Sequence, residues 1–204
     1  MPSMPGMTDA PAMMSAATIF AMWAVMMPAM MVPGALPLVA VRGAPALFGY
    51  LLVWTVFSAA AAFAQWDLMR SGALTAEMSL RSAALAAVVV AAVGVYQLTP
   101  LKRAFLSRCR AQCAAWRTAP RSRGWAAVAD GMRYGVSCAG CCWALMALLF
   151  VVGVMNIFAM AGIAIFVLAE KAVPRAVVFA RIAGVALLAC GAGVALFASG
   201  VVMR

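Results

Sequence analysis

The stretch Val136-Ser137-Cys138-Ala139-Gly140-Cys141-Cys142-Trp143-Ala144-Leu145-Met146-Ala147-Leu148-Leu149-Phe150-Val151-Val152-Gly153-Val154 decides the class of this chain. It holds no charged residue, and as a helix rising 1.5 Å per residue it comes close to the thickness of a bilayer core, about 30 Å. Its opening turns carry three thiols, so the segment that points to a membrane also carries the most reactive side chains. Five more apolar segments surround it, at about Ala12 to Val32, Ala44 to Ala64, Ser82 to Thr99, Ile157 to Ala169 and Ile182 to Val202. Pro100 and Lys102 stop the third. The segment from Ile157 is short for a crossing. It extends through Gly153-Val154-Met155-Asn156, re-enters, or forms part of a five-span arrangement with one long bent element.

Composition agrees with this reading. Of 204 residues, 68% are hydrophobic, and the mean hydropathy of +1.06 exceeds what one globular core of this length can bury. The expected fold is an all-α polytopic transmembrane bundle of about six spans, with residues 1–204 forming a single integral membrane domain. The first twelve residues contain no Lys or Arg, so an ordinary signal peptide is not expected.

Charge sets the expected orientation. Lys102, Arg103, Arg108, Arg110, Arg117, Arg121, Arg123 and Arg133 lie between the third and fourth segments, so residues 100–135 read as a basic cytoplasmic loop. With six crossings, Arg42, Lys171, Arg175 and Arg181 share that side, and only Arg70, Arg81 and Arg204 face the other. Lys and Arg gather on the cytoplasmic side of membrane proteins, which places both termini outside (N-out/C-out). The net charge of +10 is therefore assigned to membrane loops and not to nucleic-acid binding.

Several chemistries are disfavoured. There is no His, which removes His-ligated metal sites and Ser-His or Cys-His nucleophile pairs. Asp9, Asp67, Glu77, Asp130 and Glu170 are scattered, giving little local support to paired-carboxylate catalysis. No Gly-rich phosphate cradle is present. The chain does not read as an enzyme.

Sulfur remains. In a helix, Cys138 lies one turn from both Cys141 and Cys142, and Met146 continues that face. Cys109 and Cys113 repeat the four-residue spacing in the basic segment. Such thiols serve metal binding, redox exchange or packing. Soft ligands favour Cu(I), and thiolates also accept zinc. Cys190, alone in the last segment, reads as core. Seventeen Met accompany the thiols. Met1, Met4, Met7, Met13 and Met14 precede or open the first segment. Met22, Met26 and Met30 form a helical stripe within it, flanked by Met27 and Met31, which by itself reads as packing.

Gln97 and Lys102 read as interfacial, and Glu170-Lys171 as an interfacial pair. Asn156 interrupts apolar sequence and is expected to cap a helix or to meet Met and Cys groups. Trp23, Trp54, Trp66, Trp116, Trp125 and Trp143 read mostly as interface anchors.

In order, Met26-Met27-Pro28-Ala29-Met30-Met31, Tyr96-Gln97-Leu98-Thr99-Pro100-Leu101-Lys102, Cys109-Arg110, Gly140-Cys141-Cys142-Trp143, Met155-Asn156 and Glu170-Lys171 resemble the DUF2182 family. Those are bacterial integral membrane proteins of predicted metal-binding, copper-chaperone-like character. The resemblance implies the bacterial inner (cytoplasmic) membrane. Cys109, Cys138, Cys141 and Cys142 match motif cysteines, and Met155 and Asn156 match the family's Met-Asn pair. By that resemblance this chain departs in two places, since many relatives carry a Cys where Phe105 stands and a Trp where Ala159 precedes Met160. Together, residues and resemblance imply a metal site of Cys138, Cys141, Cys142, Cys109, Met146 and Met155. The expected ion is Cu(I), with zinc as the alternative, and the expected role is delivery, storage or assembly of a copper enzyme. Expected partners are the lipid bilayer, the metal ion, and other membrane subunits or a copper-enzyme client. The competing reading is a small structural or accessory subunit of a membrane oxidoreductase complex, packed through small residues such as Ala189 and Gly193.

Overall fold

A computed structural model describes residues 15–75, 78–116 and 122–202, the last four of these by backbone alone. The Met cluster at Met1, Met4, Met7, Met13 and Met14 lies outside the described residues, as do Glu77, Arg117, Arg121 and Arg204.

Helix boundaries follow local chemistry. Ser15 caps α1 (Ala16–Met31), its hydroxyl accepting from Thr18 N at 3.2 Å. Pro33 cannot donate to a regular helix, and the chain tightens into a 3-10 turn at Val32–Ala35 before α2 (Leu36–Arg42). Gly43, at φ 74°, breaks the path and α3 follows (Ala44–Arg70). Ser82 caps α4 (Ala83–Leu98). Pro100 disfavours a helical Thr99, which takes ψ 150° and ends α4; its hydroxyl then caps α5 (Pro100–Ala115) through Lys102 N at 3.2 Å. The two helices meet at 61°. Next come α6 (Trp125–Ala147), α7 (Leu149–Val152), α8 (Ile157–Ala172) and α9 (Ala176–Val202). Asn156 caps α8 through Ala159 N at 3.1 Å, one of its two expected roles.

The described residues are helical apart from turns and one isolated bridge, Leu74 to Leu80. Four stretches are long and apolar enough to cross a membrane: Ala16–Arg42, Ala44–Arg70, Trp125–Val152 and Ala176–Ala198. The bent pair of α4 and α5 would make a fifth. Helix α8, at 16 residues, is about 24 Å long and falls short of a bilayer core by itself. The basic segment expected as a loop begins with α5 and ends within α6.

Two close helix pairs organise the bundle. Helices α3 and α6 run parallel at backbone contact, for a Cβ on Gly49 would lie 2.1 Å from the Val128 carbonyl oxygen, and one on Gly131 1.9 Å from that of Ala46. Helices α4 and α9 run antiparallel through Gly94, Gly184 and Gly191. Ala189 is exposed and Gly193 faces open space, so this pair of small residues packs against no other described helix.

The two ends of the bundle differ. At one, Arg42 pairs with Asp130 at 3.5 Å, and Arg110 caps the end of α8 through the carbonyls of Lys171, at 2.9 Å, and Val173. At the other, Trp23 Nε1 donates to Gln65 Oε1 at 2.6 Å and stacks on Phe150, while Leu80 N donates to the Phe150 carbonyl at 2.7 Å. Trp23 and Trp54 are fully buried and belong to the core, against the interface role expected of them; Trp125, 83% exposed at the start of α6, fits that role. Phe158 and Phe197 turn outward from α8 and α9, as a lipid-facing surface requires.

Candidate metal centre

The site begins with helical spacing on α6. Cys138, Cys141 and Cys142 are all buried, and the thiols of Cys141 and Cys142 both donate to the Cys138 carbonyl, at 3.1 and 2.9 Å. This is the local option open to any helical thiol, since the carbonyl one turn back is within reach. Cys109, buried on α5, comes against Cys141, and Cys142 is adjacent to both Cys138 and Cys141. Four thiols separated by up to 33 positions therefore form one contiguous group.

Three residues that the sequence reading left out complete it. Met31, at the end of α1, brings its sulfur to 4.0 Å from Cys142 Sγ. Tyr50 on α3 sets its hydroxyl 3.3 Å from Cys138 Sγ while donating to the Met31 carbonyl at 3.1 Å. Lys171 on α8 donates to Cys138 Sγ at 2.9 Å. Four helices thus converge on two turns of α6.

A polar frame fixes the depth of those turns. Tyr96 donates to the Gly140 carbonyl and Lys102 to the Cys141 carbonyl. Lys102 also pairs with Glu170 at 2.7 Å, both side chains being essentially inaccessible. Glu170 and Lys171 are therefore not an interfacial pair: Glu170 binds a Lys from α5, and Lys171 turns to the thiols. The reason is helical geometry, which points adjacent residues in different directions. Phe105 lays its ring against Gly140, where an added Cβ would lie 2.6 Å from it.

The sequence-predicted residues divide. Cys138, Cys141, Cys142 and Cys109 come together, and Met146 is buried one turn further along the same helix. Met155 does not join them: it is 52% exposed in the turn after α7. Cys190 is exposed on α9, against the core position expected of it. Met22 is half-buried and Met26 and Met30 are buried, so the stripe packs; of its flanking residues Met27 and Met31, both buried, Met31 reaches the thiols.

The donors suit a soft cation: thiols and a thioether, buried, with a cationic side chain already on one sulfur. Among the described residues, no group of three His, Cys, Asp or Glu side chains is arranged to hold an ion. The sulfurs are gathered, but two of them point at a backbone carbonyl, and rotation about their χ1 bonds would be needed to share a ligand.

Among the described residues the chain is all-helical, has helices able to span a membrane, and buries a group of cysteine and methionine side chains. The chain belongs to the PpoB2 family, described as a copper chaperone, which matches residues 20–194 and so includes every element of the site. No curated protein and no solved structure matches it.

Proposed function

We propose that this protein is a multi-pass inner-membrane carrier that accepts Cu(I) at the buried sulfur group and delivers it to a copper enzyme. The observation that carries this reading is the convergence of four thiols and the Met31 thioether around Cys138–Cys142, with Lys171 on Cys138 Sγ. Cys138, Cys141, Cys142 and Cys109 serve as ligands together with Met31. Met146 is a supplementary donor, and Met155 lies outside the set.

Cu(I) fits better than zinc for a physical reason. Zinc prefers four tetrahedral nitrogen, oxygen or thiolate donors, whereas a thioether adds little to its binding and is a good ligand for Cu(I). Family membership supports the same ion. A thiolate-bound Cu(I) carries net negative charge when two thiolates bind it, and Lys171 supplies the balancing cation inside a low-dielectric interior. Nothing in this role requires turnover, so the protein acts without catalysis.

The orientation belongs to the same proposal. The end holding Arg42, Lys102, Arg110, Lys171 and Arg175 faces the cytoplasm, and six passages of the chain connect it to the opposite end. Helix α8 makes the fifth passage with the help of its flanking turns.

Metal analysis of purified protein after separate copper and zinc loading tests the site. Wild-type protein is expected to retain copper, and the Cys138→Ser/Cys141→Ser/Cys142→Ser variant to lose it. Equal copper in both would remove the site.

A further inference from the structure

A cavity of about 660 Å³ opens beside the sulfur group, between α5, the turn after α1 and the end of α8. Its wall includes Gly34, Cys109, Cys113, Tyr134, Leu168 and Lys171. Nothing in the delivery role assigned above has used Cys113, which is half-buried on α5 with its sulfur 3.5 Å from the Tyr134 hydroxyl. We propose that this cavity is the port through which Cu(I), carried by a small thiol compound, reaches the buried sulfurs, and that Cys113 is its first protein ligand. The inference rests on the copper reading of the preceding section and specifies how the site is loaded.

Three observations support it. The first is continuity: Cys109 lies one helical turn from Cys113, lines the same cavity, and is adjacent to Cys141, which in turn adjoins Cys142. Sulfur is thus available at each step from the wall to the interior, and Cu(I) need never be released as a bare ion. The second is graded exposure, with Cys113 partly accessible and Cys109 and Cys141 each 1% exposed. The third is size and character. The volume lies within the range of small-molecule pockets, about 300–1,000 Å³, which is too small for a folded domain to enter. Lys171 gives the wall a cation on the inner side, suited to an anionic Cu(I)–thiolate complex.

The transfer is ligand exchange with no change of oxidation state. The Cys113 sulfur bonds to Cu(I) as its thiol proton leaves, the bond from Cu(I) to the carrier sulfur breaks, and the carrier thiolate takes up a proton. The same exchange then moves the ion from Cys113 to Cys109 and inward.

The test follows copper uptake with time by the detergent-purified full chain, presented with Cu(I)–glutathione. Cys113→Ser is expected to load at least tenfold more slowly but to reach the wild-type copper content. Ala111→Trp, which fills the cavity from an exposed position on its wall without removing a thiol, is expected to slow loading similarly. Cys190→Ser, on another face, is expected to behave as wild type. Wild-type loading rates in both Cys113→Ser and Ala111→Trp would overturn the port while leaving the site standing. Lower final copper in Cys113→Ser at an unchanged rate would also overturn it, making Cys113 a ligand of the site itself. Wild-type protein that takes up no copper would overturn the copper reading and the port together.

Discussion

Lys171 holds its ammonium 2.9 Å from Cys138 Sγ, half-buried at the inner wall of the cavity. Only two of the fifteen basic residues are Lys, and both reach the centre, Lys102 through the Cys141 carbonyl and Lys171 through a sulfur. A compact point charge on a flexible stem suits both places better than the broad guanidinium fork. If Lys171 balances a copper–thiolate, Lys171→Met should weaken Cu(I) binding at least tenfold, about 1.4 kcal/mol. Lys171→Arg should recover part of that loss. Competition with a chromophoric Cu(I) chelator measures both, and unchanged affinity in Lys171→Met would remove the balancing role. The cysteine spacing was legible in the sequence, because i, i+3 and i+4 positions share a helix face whatever the tertiary fold. The partnership of Lys171 with Cys138 was not, since no local rule joins residues 33 positions apart.

At the level of elements, α6 is positioned by backbone contact with α3, and the glycines are the reason. Gly49 and Gly131 each face a carbonyl of the opposing helix at distances no Cβ tolerates. In a membrane, where hydrocarbon removes most of the hydrophobic drive between helices, close approach through small residues supplies much of the packing energy. Gly131→Leu should therefore separate α3 from α6, destabilise the bundle by about 1–3 kcal/mol or more, and displace Tyr50 from Cys138. Gly162→Ala should be neutral or slightly stabilising, because Gly162 faces open space and Ala is the better helix former. Thermal unfolding in detergent compares the two, and equal midpoints would contradict the contact. The α4–α5 bend was readable from Thr99-Pro100, where a residue before proline leaves the helical region. The α3–α6 contact was hidden, because small residues are so common here that composition does not single out the pair that touches.

For the whole molecule, the basic end of the bundle and the end opposite it define an axis, and the sulfur group sits toward the basic end. The Arg42–Asp130 and Lys102–Glu170 pairs join chain segments far apart in sequence at that end. If it is cytoplasmic, a periplasm-dependent phosphatase reporter fused after Ser71 should be active, and one fused after Trp116 inactive. The reverse pattern would invert the orientation and place the proposed port on the outer face. The number of passages was only partly legible. Apolar runs pointed to six, while four helices, or five with the bent pair, meet a full crossing by length and composition. A short helix such as α8 can be judged only with the turns that extend it.

The chain by itself determined that its described residues would be helical and apolar, where the helix breaks fall, and which thiols share a face. Those properties depend on side chains within a few positions of one another and on their balance of charge and oil. Only the tertiary structure decided that Met31, Tyr50 and Lys171 would join Cys138–Cys142, that Glu170 would bind Lys102, and that Met155 would stand apart. Such choices are made when helices from distant parts of the chain settle at one depth and one rotation, a matter of mutual packing that local sequence does not encode.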